Sequence, residues 1–173
     1  MELRHFYNLQ EKGMLFEQVF DHIISFMNQQ PQAQYKLMLG TDSQVHPRFT
    51  RFISGIVIQR LGYGVWACAS KTVVNRKMNN LHERISYETT LTEEVAAMFT
   101  ESHKTELINI ILPHIYEGAT FTIEGHIDIG AGKRNRTREF VREMRGRIES
   151  SGLEAKIKPD SFVASCYANR YTK

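Results

Sequence analysis

Two extended runs each deliver an aspartate beside a glycine: YKLMLGTDS, residues 35–43, ends in Asp42, and FTIEGHIDIG, residues 121–130, ends in Asp128. Side chains alternate along a strand. The second run therefore puts Phe121, Ile123, Gly125, Ile127 and Ile129 on one face and Thr122, Glu124, His126 and Asp128 on the other. One face suits a core and the other suits ligation. Mg²⁺ and Mn²⁺ prefer oxygen ligands, and a pair of such ions needs several carboxylates, converging from different elements, to clamp the oxygens of a phosphoryl group. Asp42 could instead bond its own turn backbone, as turn aspartates commonly do; the parallel with Asp128 argues for ligation.

A third acid comes from a helix-forming stretch, residues 80–99. Glu88 lies three, four and seven positions from Ile85, Thr92 and Val95, so it falls on the inward stripe. A carboxylate there needs a partner or a metal. Glu83, Glu93 and Glu94 share the helix, and a rotation of one position would turn Glu88 to the surface. His126 points with Asp128 and could contact phosphate, although a lone strand histidine is more often packed or hydrogen-bonded.

Just past Asp128, residues 132–147, GKRNRTREFVREMRGR, hold one Lys and six Arg against two Glu, a local net charge of +5 against +3 for the whole chain. Lys133, Arg134, Arg136 and Arg138 are the candidate phosphate contacts, which would confer affinity and salt sensitivity rather than sequence choice. The alternative is a solvated helix face balanced by acids. GAGKR is not a nucleotide-binding loop: the position five before Gly132 is Ile127, and Arg134 follows Lys133 where Ser or Thr is required.

These residues need a scaffold. Helical periodicity from Met14 to Met27 is broken by QQPQAQ, residues 29–34. Next, RFISGIVIQR (51–60) and VWACASKTVV (65–74), joined by LGYG, form a hairpin, and the short link after Asp42 makes the first pair antiparallel too. Helices over 80–99 and 104–116, the Asp128 strand, a basic helix over 136–150, a strand over 154–158 and a closing helix over 161–171 complete the order. Strands grouped first and then alternating with helices imply an α/β fold with a mixed sheet. At 173 residues and 42% hydrophobic content the expectation is one domain over 1–173, with 1–30 as a helical extension. No apolar run could span a bilayer and the start lacks a leader pattern, so a cytoplasmic protein is expected. Cys68 and Cys166 have no zinc-site spacing and are expected as reduced thiols.

The element order, with GTDSQ ending the first strand, a glutamate on the first internal helix, HIDIG in the fourth strand and KPDSF before the last helix, resembles the ribonuclease H fold. More narrowly, GTDSQ, EGHIDIG, KPDSF and the ending ANRYTK resemble the YkuK-type ribonuclease H-like proteins of bacteria, over roughly residues 35–173. The resemblance implies a five-stranded mixed sheet with helices on both faces, and an acidic cluster of Asp42, Glu88, Asp128 and Asp160 as catalytic ligands of two Mg²⁺ or Mn²⁺ ions. It also implies hydrolysis of RNA, DNA or a hybrid with water as nucleophile, and a possible auxiliary role for His46 in product release. Asp160 could equally be an N-cap. The same fold hosts proteins without activity, so a non-catalytic nucleic-acid or protein binding module is the alternative.

Overall fold

The computed structural model describes residues 3–163. An amphipathic helix α1 (Phe16–Asn28) precedes three strands, β1 (Gln34–Val45), β2 (Thr50–Arg60) and β3 (Val65–Val74). Helices α2 (Leu81–Met98) and α3 (Glu101–Ile111) follow, and a 3-10 turn, Leu112–Glu117, leads to β4 (Thr120–His126). A second short 3-10 turn, Arg138–Phe140, opens α4 (Val141–Ser150), and β5 (Glu154–Lys156) completes the sheet.

The sheet order is β3-β2-β1-β4-β5, with β1–β2 and β2–β3 antiparallel and β1–β4 and β4–β5 parallel. The expected meander and mixed sheet are both present. Because β1 is central, the chain leaves it through β2 on one side and returns through β4 on the other. The carboxyl ends of β1 and β4 thus border the place where connections diverge, the usual location of a ligand crevice in such sheets.

One sheet face, with Leu37, Leu39, Ile56, Ile58, Cys68 and Ile127, joins Ile23 of α1, Val95 of α2, Leu107 of α3 and Ile148 of α4 in a single buried cluster. Asn80 caps α2 by accepting from the Glu83 N–H at 2.9 Å, and Thr100 caps α3 through His103 N. On the opposite face Met38 and Val57 pack on Val163, and Gly40 allows that approach, since a Cβ there would lie 3.2 Å from Val163. Of the closing helix expected over 161–171, residues 164–171 lie outside the described residues, as does Cys166.

Some element ends differ from the sequence-based expectation. β1 runs three residues past Asp42 to Val45, because the β1–β2 ladder continues to Val45↔Thr50 while the parallel ladder with β4 stops at Gly40↔His126. The basic helix starts at Val141 rather than 136, since Asn135 and Thr137 turn the backbone before it. Cys68 is a free, buried thiol, and burial pushes its pKa up. No helix among the described residues is long and apolar enough to cross a membrane.

Candidate metal centre and nucleic-acid interface

Asp42 and Asp128 each lie two residues beyond Gly40 and His126, the last pair of the parallel ladder. Asp42 continues β1 on the face of Gly40, while Asp128 sits in a bend just after β4, where Ile129 N donates to Ile127 O at 2.9 Å; both lie at the point where β1 and β4 part. Both are partly exposed. The neighbouring Ser43 points to the helix side, toward Glu88.

α2 delivers Glu88 to this corner. Its inward stripe, Ile85, Glu88, Thr89, Thr92 and Val95, is buried. Hydroxyls fix the crossing: Thr41 Oγ1 lies 2.8 Å from Thr92 Oγ1 and 3.0 Å from Ser54 Oγ, and Ser43 Oγ donates to Glu88 Oε1 at 2.5 Å. The other acids of the helix are held elsewhere, with Glu83 on Arg76, Glu93 on Arg147 and Glu94 on Arg4. Glu88 is the α2 glutamate that is buried.

The electrostatics of Glu88 report the convergence. Burial drives its pKa upward most strongly, the hydrogen bond from Ser43 opposes it, the charges of Asp42 and of Asp128 raise it again, and Arg84 lowers it. The net result is a carboxyl pushed up to about 8. Charges from three distant segments therefore act on one another, and Glu88 lacks enough positive charge nearby to stay ionised comfortably.

Asp128 has a local partner: Lys158 Nζ lies 3.3 Å from its Oδ1. Among the described residues no three His, Cys, Asp or Glu side chains stand close enough together to hold one metal ion. In donor chemistry the trio nonetheless suits a hard divalent cation, being all oxygen, like-charged and undercompensated at Glu88. Asp160 is exposed in the turn after the cis Lys158–Pro159 bond, with its N–H donated to Ile157 O at 2.8 Å, and its charge is not among those acting on Glu88.

Of the two histidines, His126 borders the same small space as Glu88, and His46 lies farther along the β1–β2 turn. His126 is buried; its Nδ1 accepts from Phe162 N at 3.1 Å and Val163 N at 3.4 Å, and its Nε2 lies 2.9 Å from Glu124 Oε1. Accepting at Nδ1 fixes the proton on Nε2. Both ring nitrogens serve the fold rather than a phosphate. His46 stacks on Phe49 at the β1–β2 turn, centroids 4.3 Å apart, four residues and so roughly 13 Å along the strand from Asp42.

Lys133, Arg134, Arg136 and Arg138 are all exposed and line an open depression of about 370 Å³ with Asn135 and Glu139. None of the four makes an ion pair within the described residues, whereas Arg145 and Arg147 on α4 pair with Glu149 and Glu93. The balanced-face alternative describes Arg145 and Arg147 of the helix; the four cations before it have no such pairing among the described residues. Ser43 and Lys158 escaped the sequence reading. Each sits in a motif, GTDSQ or KPDSF, but periodicity cannot reveal a hydroxyl turned to a helix or a lysine folded onto a neighbouring strand.

The Ribonuclease H-like family profile matches residues 18–173. "Uncharacterized protein YkuK" of Bacillus subtilis (strain 168) is 44% identical over 168 residues, covering 97% of this chain and 96% of that protein. No solved structure matches. The strand order, the acids at the parting of β1 and β4, the profile match and the relative agree, and the chain belongs to the ribonuclease H-like family, as a YkuK-type member.

Proposed function

We propose that this protein is a divalent-metal-dependent nuclease in which Asp42, Glu88 and Asp128, with Asp160 from the following turn, hold Mg²⁺ or Mn²⁺ and hydrolyse a phosphodiester bond. The observation that carries it is the charge convergence on Glu88: a buried carboxyl raised to about 8 by desolvation and by Asp42 and Asp128 together. Structural acids are normally paired, as Glu83, Glu93 and Glu94 are here.

Bound cations would supply an activated water and neutralise the phosphoryl oxygens. The chain's own groups do the rest. Ser43 orients Glu88, Asp42 and Asp128 present oxygens from the ends of β1 and β4, and Lys158 compensates Asp128 until a stronger cation competes. The unpaired cations of residues 133–138 draw the phosphate backbone toward the corner. We assign the cytoplasm as compartment, in keeping with the free thiol of Cys68.

Incubation with RNA/DNA hybrid, single-stranded RNA and single-stranded DNA, in Mn²⁺ or in chelator, tests the proposal. Cleavage is expected in Mn²⁺ alone, and Asp42→Asn or Asp128→Asn should lower it by at least the roughly 10–100-fold that loss of a mere outer-shell partner costs. Cleavage undiminished in both variants overturns it. One observation favours a second reading, a non-catalytic nucleic-acid binding module: Lys158 already neutralises Asp128. Salt-sensitive binding with no cut substrate would select that reading.

A further inference from the structure

The loop after Asp128 is closed on itself. Gly130 N donates to Thr137 Oγ1 at 3.1 Å, the Thr137 hydroxyl donates to Asn135 Oδ1 at 3.1 Å, and Asn135 N donates to Gly132 O at 2.9 Å. The Asn135 side chain fills the space a side chain at 130 would need: a Cβ there would meet Nδ2 at 2.1 Å and Cγ at 2.9 Å. The φ of Gly130 is not positive, so glycine is required for this close approach rather than for backbone shape.

Lys133, Arg134 and Arg136 project from that closed loop and Arg138 follows it at the start of the 3-10 turn, all four exposed and without an ion pair among the described residues. Gathering like charges without compensation is unfavourable, and ordering the loop costs conformational entropy. Both costs are recovered when a polyanion meets the cations already in place, because binding then pays less to order them. The anchor, Gly130, is two residues from Asp128, so the loop's closure fixes the cations relative to the carboxylates.

We propose that Asn135 and Thr137, seated on Gly130, are positioning residues that hold this loop as a preformed seat for the phosphates of a nucleic-acid strand, which rests on the cationic-loop part of the reading above. They touch other loop atoms, not substrate. Their role is to let several cations engage consecutive phosphates at once.

The test is binding of a fluorescein-labelled single-stranded DNA of about twenty nucleotides in EDTA, measured across a salt series so that no cleavage intervenes. Four phosphate contacts predict a slope of log affinity against log salt near −3, at roughly −0.7 per contact. Thr137→Val and Asn135→Ala should each weaken binding about tenfold and flatten the slope by about one contact or more, with unfolding midpoints followed alongside. Thr137→Ser keeps the hydroxyl and should bind as the wild type does, a rescue that a loss of general stability would not give. Wild-type slopes in both Thr137→Val and Asn135→Ala, with a quadruple alanine variant of the four cations binding poorly, overturn the positioning role alone. A quadruple variant that binds like the wild type overturns the cationic-loop reading and this inference with it.

Discussion

Lys158 is tied to Asp128 and to its neighbour: its Nζ lies 3.3 Å from the Asp128 carboxylate Oδ1, and its backbone N–H donates to the carbonyl of Ile129 at 2.8 Å. The lysine is thus fixed beside the acid by the extension of the β4–β5 pairing. A divalent cation arriving at the corner must outcompete an ammonium group for the same oxygen. Lys158→Met removes the competitor while keeping the aliphatic stem. Half-maximal stabilisation by Mn²⁺, read from the thermal midpoint, should then occur at a concentration roughly two- to fivefold lower, the factor an exposed ion pair of this kind is worth. An unchanged or raised Mn²⁺ requirement would remove Lys158 from the account.

Glu88 makes stability depend on pH in a definite direction. Its folded pKa of about 8 lies above the ordinary 4.5, so the folded state binds the proton more tightly than the unfolded chain does. That contribution is fully present below about 4.5, declines as pH rises, and is lost once pH passes about 8. In chelator, the urea midpoint of the wild type should therefore fall between pH 5 and 9 relative to that of Glu88→Gln, whose amide does not titrate. Parallel pH profiles for the two proteins would contradict the buried, undercompensated carboxyl.

Arginines in one basic run should separate into two kinds. Arg147 bonds Ser86, Thr90 at 2.7 Å and Glu93 across the α2–α4 contact, so Arg147→Ala should destabilise by roughly 1–3 kcal/mol. Arg138 is exposed and unpaired, and Arg138→Ala should change stability by less than about 0.5 kcal/mol while weakening nucleic-acid binding. Chemical denaturation and a binding isotherm on both variants check the division.

His126 should matter to the fold and not to chemistry. Its Nδ1 accepts the backbone N–H groups of Phe162 and Val163, and its Nε2–H serves Glu124, a carboxyl that burial raises but that His126 and Lys36 together hold below the usual range. His126→Phe fills the space and leaves those donors unsatisfied, a cost of about 1–3 kcal/mol. The denaturation midpoint should drop, with substrate affinity unchanged at a temperature where the variant is folded.

How much of this was legible beforehand depended on the kind of signal. Asp42, Asp128 and the inward stripe of Glu88 follow from periods of two and 3.6; the β1–β4 register keeps the strand period as far as Gly40↔His126, and the stripe of α2 is buried. The end of β1 was misplaced because the pattern cannot tell that two ladders on one strand stop at different residues. His126 carries the period of a ligand and the partners of a structural residue, which only the return of residues 162 and 163 reveals. The cationic run was visible as composition; that Lys133, Arg134, Arg136 and Arg138 have no ion pair among the described residues while Arg145 and Arg147 do depends on acids brought in by α2 and by α4 itself.

Calorimetric titration of Mn²⁺ into the chelator-stripped protein, with Asp42→Asn and Asp128→Asn beside it, tests the central claim most directly. Saturable binding in the wild type, lost or at least tenfold weaker in each variant, is the predicted result. Wild-type binding retained by both variants, or no binding by any of the three, would contradict a metal centre at the parting of β1 and β4.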